Sequence, residues 1–313
     1  MKKPKITIVT ITFNLIKAGR ERTFRECVES VHNQTYKNIE HIVIDGASTD
    51  GTLDLIKEYA DKNYITYISE PDSGVYDAMN KGLNLAKGDY IAFLNSDDFY
   101  HVSDGIQCMV DTLVSNKADF AYAPCRYLKE DDTFFGVLEP SIGSFFMRMP
   151  FSHQTLFVKT DLMRKLGGFD SSFRSAGDYD FIVRLCLSGA KSVQCDRIFV
   201  SYRLGGISDT QKEQSIQECI KSFRKNYTDM DQSIDFDYMF YNSVTTKKLM
   251  KKVQTLVCDC IRNEINKTIS ISDDDKKYNV SINQIYKKPK KNIEKFYLFG
   301  ILPIYSIKKT CEI

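Results

Sequence analysis

Asp97 and Asp98 are adjacent carboxylates placed directly after Tyr90-Ile91-Ala92-Phe93-Leu94, a nearly all-apolar run with the length of a buried strand. In an open α/β sheet, ligands collect beyond the carboxyl ends of the strands, so polar groups after such a run are placed to meet them. The two carboxylates repel each other. A hard ion such as Mg²⁺ or Mn²⁺, held by one or two carboxylates plus substrate phosphates, would relieve that repulsion. The structural alternative is that the pair caps a helix expected from about Val102 or solvates a turn. Asp45 closes a second expected strand, Glu40 to Asp45, and is followed by Gly46-Ala47-Ser48-Thr49-Asp50-Gly51. Its carboxylate can accept two hydrogen bonds from the edge of a base or ribose, and the small residues behind it let a flat ring approach. The same stretch also reads as a turn that caps the next helix, with Asp50 as its structural member. Asp178 opens a helix expected to end by Gly189; with no basic residue three or four positions ahead, it is either a cap or a free carboxylate aimed at a cleft. Asp180 precedes Arg184 by four residues, the helical spacing of an ion pair.

The elements that would position these groups alternate. Strand patterns at Ile6 to Thr12, Glu40 to Asp45 and Ile65 to Ser69 are separated by helical patterns at about Thr23 to Gln34 and Leu53 to Tyr59. An amphipathic helix follows from Ser73-Gly74 to Gly88, burying Val75, Ala78, Met79, Gly82, Leu85 and Ala86. This alternation predicts right-handed βαβ units and a mostly parallel sheet flanked by helices. No Gly-x-Gly-x-x-Gly follows the first strand, which ends in Thr10-Ile11-Thr12-Phe13-Asn14, so a dinucleotide fingerprint is absent. Further on come a helix to Val114, a strand at Phe120 to Pro124, a charged hairpin tip at Lys129 to Asp132, and the apolar Phe145 to Phe151, read as core. His153-Gln154 opens a strand through Val158, and a lone His there is commonly a hydrogen-bonded structural residue. Another strand runs from Ile198 to Arg203.

Composition narrows the function classes. Of 313 residues, 42% are hydrophobic and 12% aromatic, enough for a core of one large domain with an appendage or of two domains. Lys and Arg total 43 against 41 Asp and Glu, and a net charge of +2 gives no electrostatic case for nucleic acid. Nine scattered cysteines without a Cys-x-x-Cys predict reduced thiols in a cytoplasmic protein. Cys258 and Cys260, two apart in a helical pattern, are expected on different faces, which argues against a metal site. The basic N-terminus runs straight into the first strand rather than a signal-peptide cleavage site, and no stretch approaches the roughly 20 apolar residues that span a bilayer.

The segments "EPDSGVYDAMNKG" and "GDYIAFLNSDD", with "IDGASTDGT" before them and "AGDYDFIVR" after, resemble the family 2 glycosyltransferases in sequence and in order, over about Lys5 to Asp209. The resemblance implies a GT-A, Rossmann-like catalytic domain at 1–209 and a mainly helical extension at 210–313. It implies a donor site drawn from the first strand end (Thr12, Phe13, Asn14), from Asp45 and Ser48, from Asp72, Asn80 and Lys81, and from Asn95 and Ser96. It also implies Asp97 as ligand to Mn²⁺ or Mg²⁺, His153 near the reaction centre, and Asp178 as catalytic base. Three positions depart from the family pattern: Gly46 replaces a second acidic residue, Asn95 replaces the first Asp of Asp-x-Asp, and Gly177 replaces a Glu. Gly205-Gly206 stands where some relatives place a metal-binding His.

The expected reaction is inverting transfer of a sugar, hexosyl or N-acetylhexosaminyl, from a nucleotide-sugar, most simply a UDP-sugar, to a hydroxyl of a growing, lipid-linked glycan. Two other readings compete: a sugar-1-phosphate nucleotidyltransferase, disfavoured because no Gly-rich, basic loop follows the first strand, and a catalytically silent glycan-binding scaffold. Helical patterns recur at Glu213 to Phe223 and Lys247 to Ile265. The tail from Ser281 to Ile313 carries seven lysines and two glutamates around "FYLFGILPIY" and either lies on an anionic membrane surface or docks on the catalytic unit.

Overall fold

A computed structural model describes residues 3–206, 211–242, 244–271, 277–280, 296–297 and 303–304. Strands β1 (Ile6–Thr12), β2 (Ile39–Asp45) and β3 (Thr66–Ser69) alternate with helices α1 (Glu21–His32) and α2 (Thr52–Asp61), and α3 (Val75–Leu85) leads into β4 (Tyr90–Phe93). These four strands are parallel, and the register sets Thr12 beside Asp45 and Asp45 beside Ser69, so three chemically distinct strand ends meet in one row. The predicted βαβ alternation is what the chain builds.

The second half adds β5 (Phe99–Tyr100), α4 (Gly105–Asn116), β6 (Phe120–Tyr122), β7 (Cys125–Leu128), β8 (Phe134–Leu138), β9 (Phe157–Lys159), α5 (Thr160–Lys165), α6 (Gly177–Leu187), β10 (Ser192–Gln194) and β11 (Val200–Arg203). The main sheet has seven strands in the order β10-β6-β9-β4-β1-β2-β3, with β9 antiparallel to β4 and β6. A smaller sheet, β5-β11-β7-β8, stands beside it, and its β7–β8 hairpin has the expected charged tip. The apolar run after residue 144 is core: Phe145, Phe146, Met147, Met149 and Phe151 are all buried.

Two local expectations change. His153 does not begin a strand: His153–Thr155 is a 3₁₀ turn, closed by Thr155 N–H and Oγ1 both donating to the Ser152 carbonyl, and β9 starts only at Phe157. The helical pattern from Lys247 is two helices, Lys247–Leu256 and Asp259–Thr268, because Val257 is extended. The second of these packs its backbone directly on the turn Ile142–Ser144, where a Cβ on Gly143 would lie 2.4 Å from the Glu264 carbonyl carbon. No helix among the described residues is long and apolar enough to cross a membrane. The tail expectation, apart from the backbone pairing of Phe296–Tyr297 with Pro303–Ile304, falls outside the described residues, as does the expected boundary at Asp209.

Beneath the strand ends, His41 of β2 is buried with Nε2 3.0 Å from Thr10 Oγ1, and burial lowers its pKa to about 3. The folded state therefore holds a neutral imidazole that the unfolded chain protonates near pH 6.5. Stability from this group is complete above pH 6.5 and is lost as pH falls toward the folded value, at about 1.4 kcal/mol per unit inside that window. Urea unfolding at pH 7 and pH 5 is expected to show a loss of about 2 kcal/mol from this residue. His41→Gln should flatten the slope; an unchanged slope in the variant would exclude His41 as its source.

Candidate functional site

A cavity of about 610 Å³ opens at the carboxyl ends of β1, β2 and β4. Its walls come from Thr12 and Phe13 after β1, Gly46 after β2, Asp72 to Gly74 ahead of α3, Asn95 to Asp97 after β4, the His153 turn, and Arg174, Ser175 and Asp178 around the start of α6. Eight of the expected site residues thus share one cavity: Thr12, Phe13, Asp72, Asn95, Ser96, Asp97, His153 and Asp178.

The other five shape the walls from behind. Asp45 is fully buried and accepts hydrogen bonds from Thr12 Oγ1 (3.1 Å), Ser48 N (2.9 Å), Ser48 Oγ (2.5 Å) and Ser69 Oγ (2.7 Å). Its acceptor capacity is spent on joining the strand ends, so a base edge would find little left. Asn14 N donates to Ser48 Oγ, while Asn14 Oδ1 accepts from Thr49 N. Asn80 exchanges two hydrogen bonds with the Phe169 backbone, and Lys81 donates to the Pro71 carbonyl and pairs with Glu70. Asn14 and Ala47 hold left-handed backbone conformations, φ 47° and 61°, so the two loops above β1 and β2 are tightly constrained. Asp50 has the structural role expected of it, accepting from Thr52 N, Thr52 Oγ1 and Lys17 N, although the N-cap position itself falls to Gly51.

The adjacent carboxylates divide their work. Asp98 turns inward, accepting from Arg203 N (2.9 Å) and Gln154 Nε2 (3.0 Å), and burial next to Asp97 pushes its carboxyl well above the usual range. It joins the end of β4 to β11 and to the His153 turn. Asp97 faces the cavity, where its Oδ2 lies 3.0 Å from Arg20 Nη1. Arg203, only 6% exposed, donates to the Asp97 carbonyl (2.5 Å) and to Asp132 (2.5 Å) and Glu26 (2.6 Å).

Across the cavity Asp178, 6% exposed, accepts from Tyr76 OH (3.1 Å) and Tyr179 N (2.9 Å) through Oδ1, while Oδ2 lies 3.0 Å from His153 Nδ1. Burial and the Asp178 charge raise the Tyr76 pKa well above 10, which keeps its hydroxyl a donor. The N-terminus of α6 is held by a residue from a distant helix. Glu218, on Lys212–Tyr227, accepts from the backbone N–H groups of Arg174 (2.8 Å), Ser175 (2.8 Å) and Ala176 (3.0 Å). An anion there matches the helix dipole and fixes the turn just before Asp178.

Two of the family departures are filled by other side chains. A Cβ on Gly46 would sit 2.6 Å from Asp72 Oδ2 and 3.2 Å from the Phe13 ring, so Asp72 brings a carboxylate into that space. A Cβ on Gly177 would lie 2.8 Å from the Tyr76 ring, whose hydroxyl supports Asp178. Sequence reading missed Arg20, Arg174, Tyr76 and Glu218. Only Glu218 carried a signal: with Ser215 and Ser222 it forms a polar stripe on a helix face that otherwise buries Cys219, Ile220, Phe223 and Tyr227.

The profile of the Glycosyl transferase family 2 matches residues 7–175, more than half of the chain. The chain belongs to glycosyl transferase family 2. An uncharacterized glycosyltransferase of Mycobacterium tuberculosis is 35% identical to it over 191 residues, 59% of this chain and 70% of the relative. A PGL/p-HBAD biosynthesis glycosyltransferase of the same organism is 26% identical over 215 residues, 67% of this chain and 81% of that one. The GT-A fold is shared with the mannosyltransferase PcManGT of Pyrobaculum calidifontis, solved with GDP-Man and Mn²⁺ (TM-score 0.60, 17% identity, 85% of this chain and 74% of that one). It is shared too with Staphylococcus aureus TarS 1–349, solved with UDP-GlcNAc (TM-score 0.54, 15% identity, 90% and 98%). The cavity of this glycosyltransferase therefore lies where its fold collects ligands, past the carboxyl ends of the parallel strands.

Proposed function

We propose that the glycosyltransferase is inverting and moves a sugar from a UDP-sugar to a hydroxyl of a growing, lipid-linked glycan. The observation that carries the reading is the placement of two pairs, Asp97 with Arg20 and Asp178 with His153, on the walls of one cavity. The first pair can exchange charge with a diphosphate, and the second can take a proton. The base is given a platform by Phe13, 64% exposed at the cavity lip, and an edge acceptor by Asp72, which stands beside Gly46. Among the described residues Arg20 and Arg174 are the arginines that line the cavity. Binding of the donor lets the Arg20 guanidinium leave Asp97 for a phosphate oxygen, a planar fork meeting an anion it fits.

Among the described residues no three His, Cys, Asp or Glu side chains converge as a metal cluster, and of the adjacent pair after β4 it is Asp97 that lines the cavity while Asp98 is buried. That donor set fits an Mg²⁺ or Mn²⁺ ion held by Asp97 together with donor phosphates, a common arrangement for hard ions that keep few protein ligands. Such an ion, when bound, neutralises charge that develops on the leaving diphosphate. Asp178 Oδ2 accepts the acceptor hydroxyl proton while the acceptor oxygen bonds to the anomeric carbon. The bond from that carbon to the diphosphate oxygen breaks on the opposite face, inverting the configuration. Tyr76 OH fixes the carboxylate through Oδ1, and the His153 imidazole, with Nδ1 3.0 Å from Oδ2, flanks it, so that a lone pair stays toward the cavity.

The lipid-linked acceptor is supported by the relative named for PGL/p-HBAD biosynthesis and by the lysine-rich, apolar tail, which together suit work at the cytoplasmic face of a membrane. We place the catalytic domain at 1–209 and the extension at 210–313. Calorimetry of UDP and UDP-sugars with Mn²⁺ and with chelator tests the donor site. The Mn²⁺-dependent gain in affinity, expected to be at least tenfold by about 1.4 kcal/mol, should vanish in Asp97→Asn. Metal-free binding in that variant should hold or improve, because Arg20 is released. UDP binding that ignores both metal and the substitution would remove Asp97 from the metal site; tight GDP and absent UDP binding would reassign the donor.

A further inference from the structure

On the side of the molecule where edge strand β10 meets helix Asp259–Thr268, Cys258 and Cys260 bring their sulfurs to 2.9 Å. Two residues apart inside a helix they would diverge, but Cys258 precedes the helix: its carbonyl accepts the Arg262 N–H at 3.0 Å, and Cys260 lies in the first turn. Ser192 of β10 holds the pair from the other side, with its Oγ 3.1 Å from Cys260 Sγ and 3.9 Å from Cys258 Sγ. Both sulfurs line an open cleft of about 870 Å³, and Cys260 is exposed.

We propose that Cys258 and Cys260 are a reactive dithiol that small-molecule disulfides convert to an intrachain disulfide. Cys258 is the nucleophile. The Cys260 thiol donates to it and the Ile261 backbone N–H at the helix start stabilises its anion, which together lower its pKa to about 5 against the opposing effect of burial. Cys260 is correspondingly pushed up by the same hydrogen bond and is the resolving thiol. The Cys258 thiolate attacks one sulfur of the small disulfide, forming a mixed disulfide and releasing one thiolate. The Cys260 sulfur, losing its proton to that thiolate or to solvent, then attacks Cys258 Sγ and expels the second thiol. Two protein thiols are oxidised and one disulfide is reduced to two thiols.

The rest of the described cysteines are poor competitors. Burial raises the pKa of Cys27, Cys125, Cys186 and Cys219, Cys108 is raised as well, and Cys195 is buried. The reactive pair also sits in the helix whose Glu264 backbone supports the Gly143 turn, so the oxidised form would alter an element that abuts the core of the catalytic unit.

The test uses the reduced, full-length protein. It is equilibrated with oxidised glutathione, quenched with iodoacetamide, digested with trypsin, and the peptide 253–262 is weighed. The expected result is loss of both alkylatable thiols on that peptide together, with a mass 2 Da below the reduced form, at oxidant concentrations that leave the other described cysteines alkylatable. Cys260→Ser should trap glutathione on Cys258, and Cys258→Ser should slow modification of Cys260 at least tenfold. Double alkylation of the wild-type peptide after equilibration would overturn the proposal, as would equal reactivity of Cys260 in the Cys258→Ser variant.

Discussion

Asp178→Asn is expected to lower kcat by about 10³-fold, within the range general-base catalysis supplies, while the dissociation constant of the donor moves by less than about threefold. The amide keeps the volume of the carboxylate, and its oxygen can still accept from Tyr76 OH and Tyr179 N. What it loses is the capacity to hold the acceptor proton. Because the proposed donor site is drawn from other lining residues, Phe13, Asp72 and Asp97, calorimetry with a UDP-sugar should report the binding competence of the variant separately from its turnover. A smaller companion effect follows for His153→Gln, about 10-fold to 100-fold in kcat, since the carboxylate remains but one of its positioning partners changes. If Asp178→Asn retained more than a tenth of wild-type turnover, Asp178 would be a positioning residue and the base would have to be sought elsewhere on the cavity wall, with His153 first.

The second large effect is on stability. Arg203 is almost fully buried, joins α1 (through Glu26), the β7–β8 hairpin (through Asp132) and the end of β4 (through the Asp97 carbonyl), and lies 4.7 Å over the Phe99 ring. Removing one partner of a buried ion pair costs about 3–5 kcal/mol when the other is left dry. Here both carboxylates are a little over one third exposed, 38% for Glu26 and 36% for Asp132, so each rehydrates in part. Arg203→Met is accordingly expected to lose about 2–3 kcal/mol in urea unfolding. It should also weaken donor binding, because the Asp97 backbone loses its anchor. A loss below about 1 kcal/mol with unchanged donor affinity would show that neither the pairs nor the anchor matters in solution.

What the sequence makes legible depends on how local the cause is. The parallel strands and their helices are long enough to carry a period, so β1 to β4 and α1 to α3 can be read from apolar spacing alone, although α3 buries Leu83 and leaves the expected Leu85 37% exposed. β9, β11 and the β7–β8 hairpin are also legible as short pieces, but the way they pair is not. These strands are three to five residues long, and whether such a piece pairs parallel or antiparallel is settled by partners far along the chain. The division of labour between Asp97 and Asp98 is likewise invisible in the dipeptide, since it is decided by Arg203 and Gln154. Gly46 and Gly177 read as losses in a linear comparison, whereas in space each admits a side chain, Asp72 and Tyr76, that brings polar chemistry to the same point. The cysteine pair was misjudged because a helical period was carried through Val257, where the backbone is extended.

Glu218 gives the catalytic turn a timetable. A ribosome making this protein has finished all of residues 7–175, and every strand through β11, before it reaches Glu218 or the helix that contacts Gly143. Until Glu218 arrives, the N–H groups of Arg174, Ser175 and Ala176 have only water to satisfy them, and the turn that carries Asp178 is free to wander. With Asp178 as the proposed base, a nascent or prematurely terminated chain can therefore fold the strand ends that line the cavity while that base is still unfixed. On that proposal, competence to hold a nucleotide and competence to transfer its sugar would be acquired at different moments in the life of each molecule.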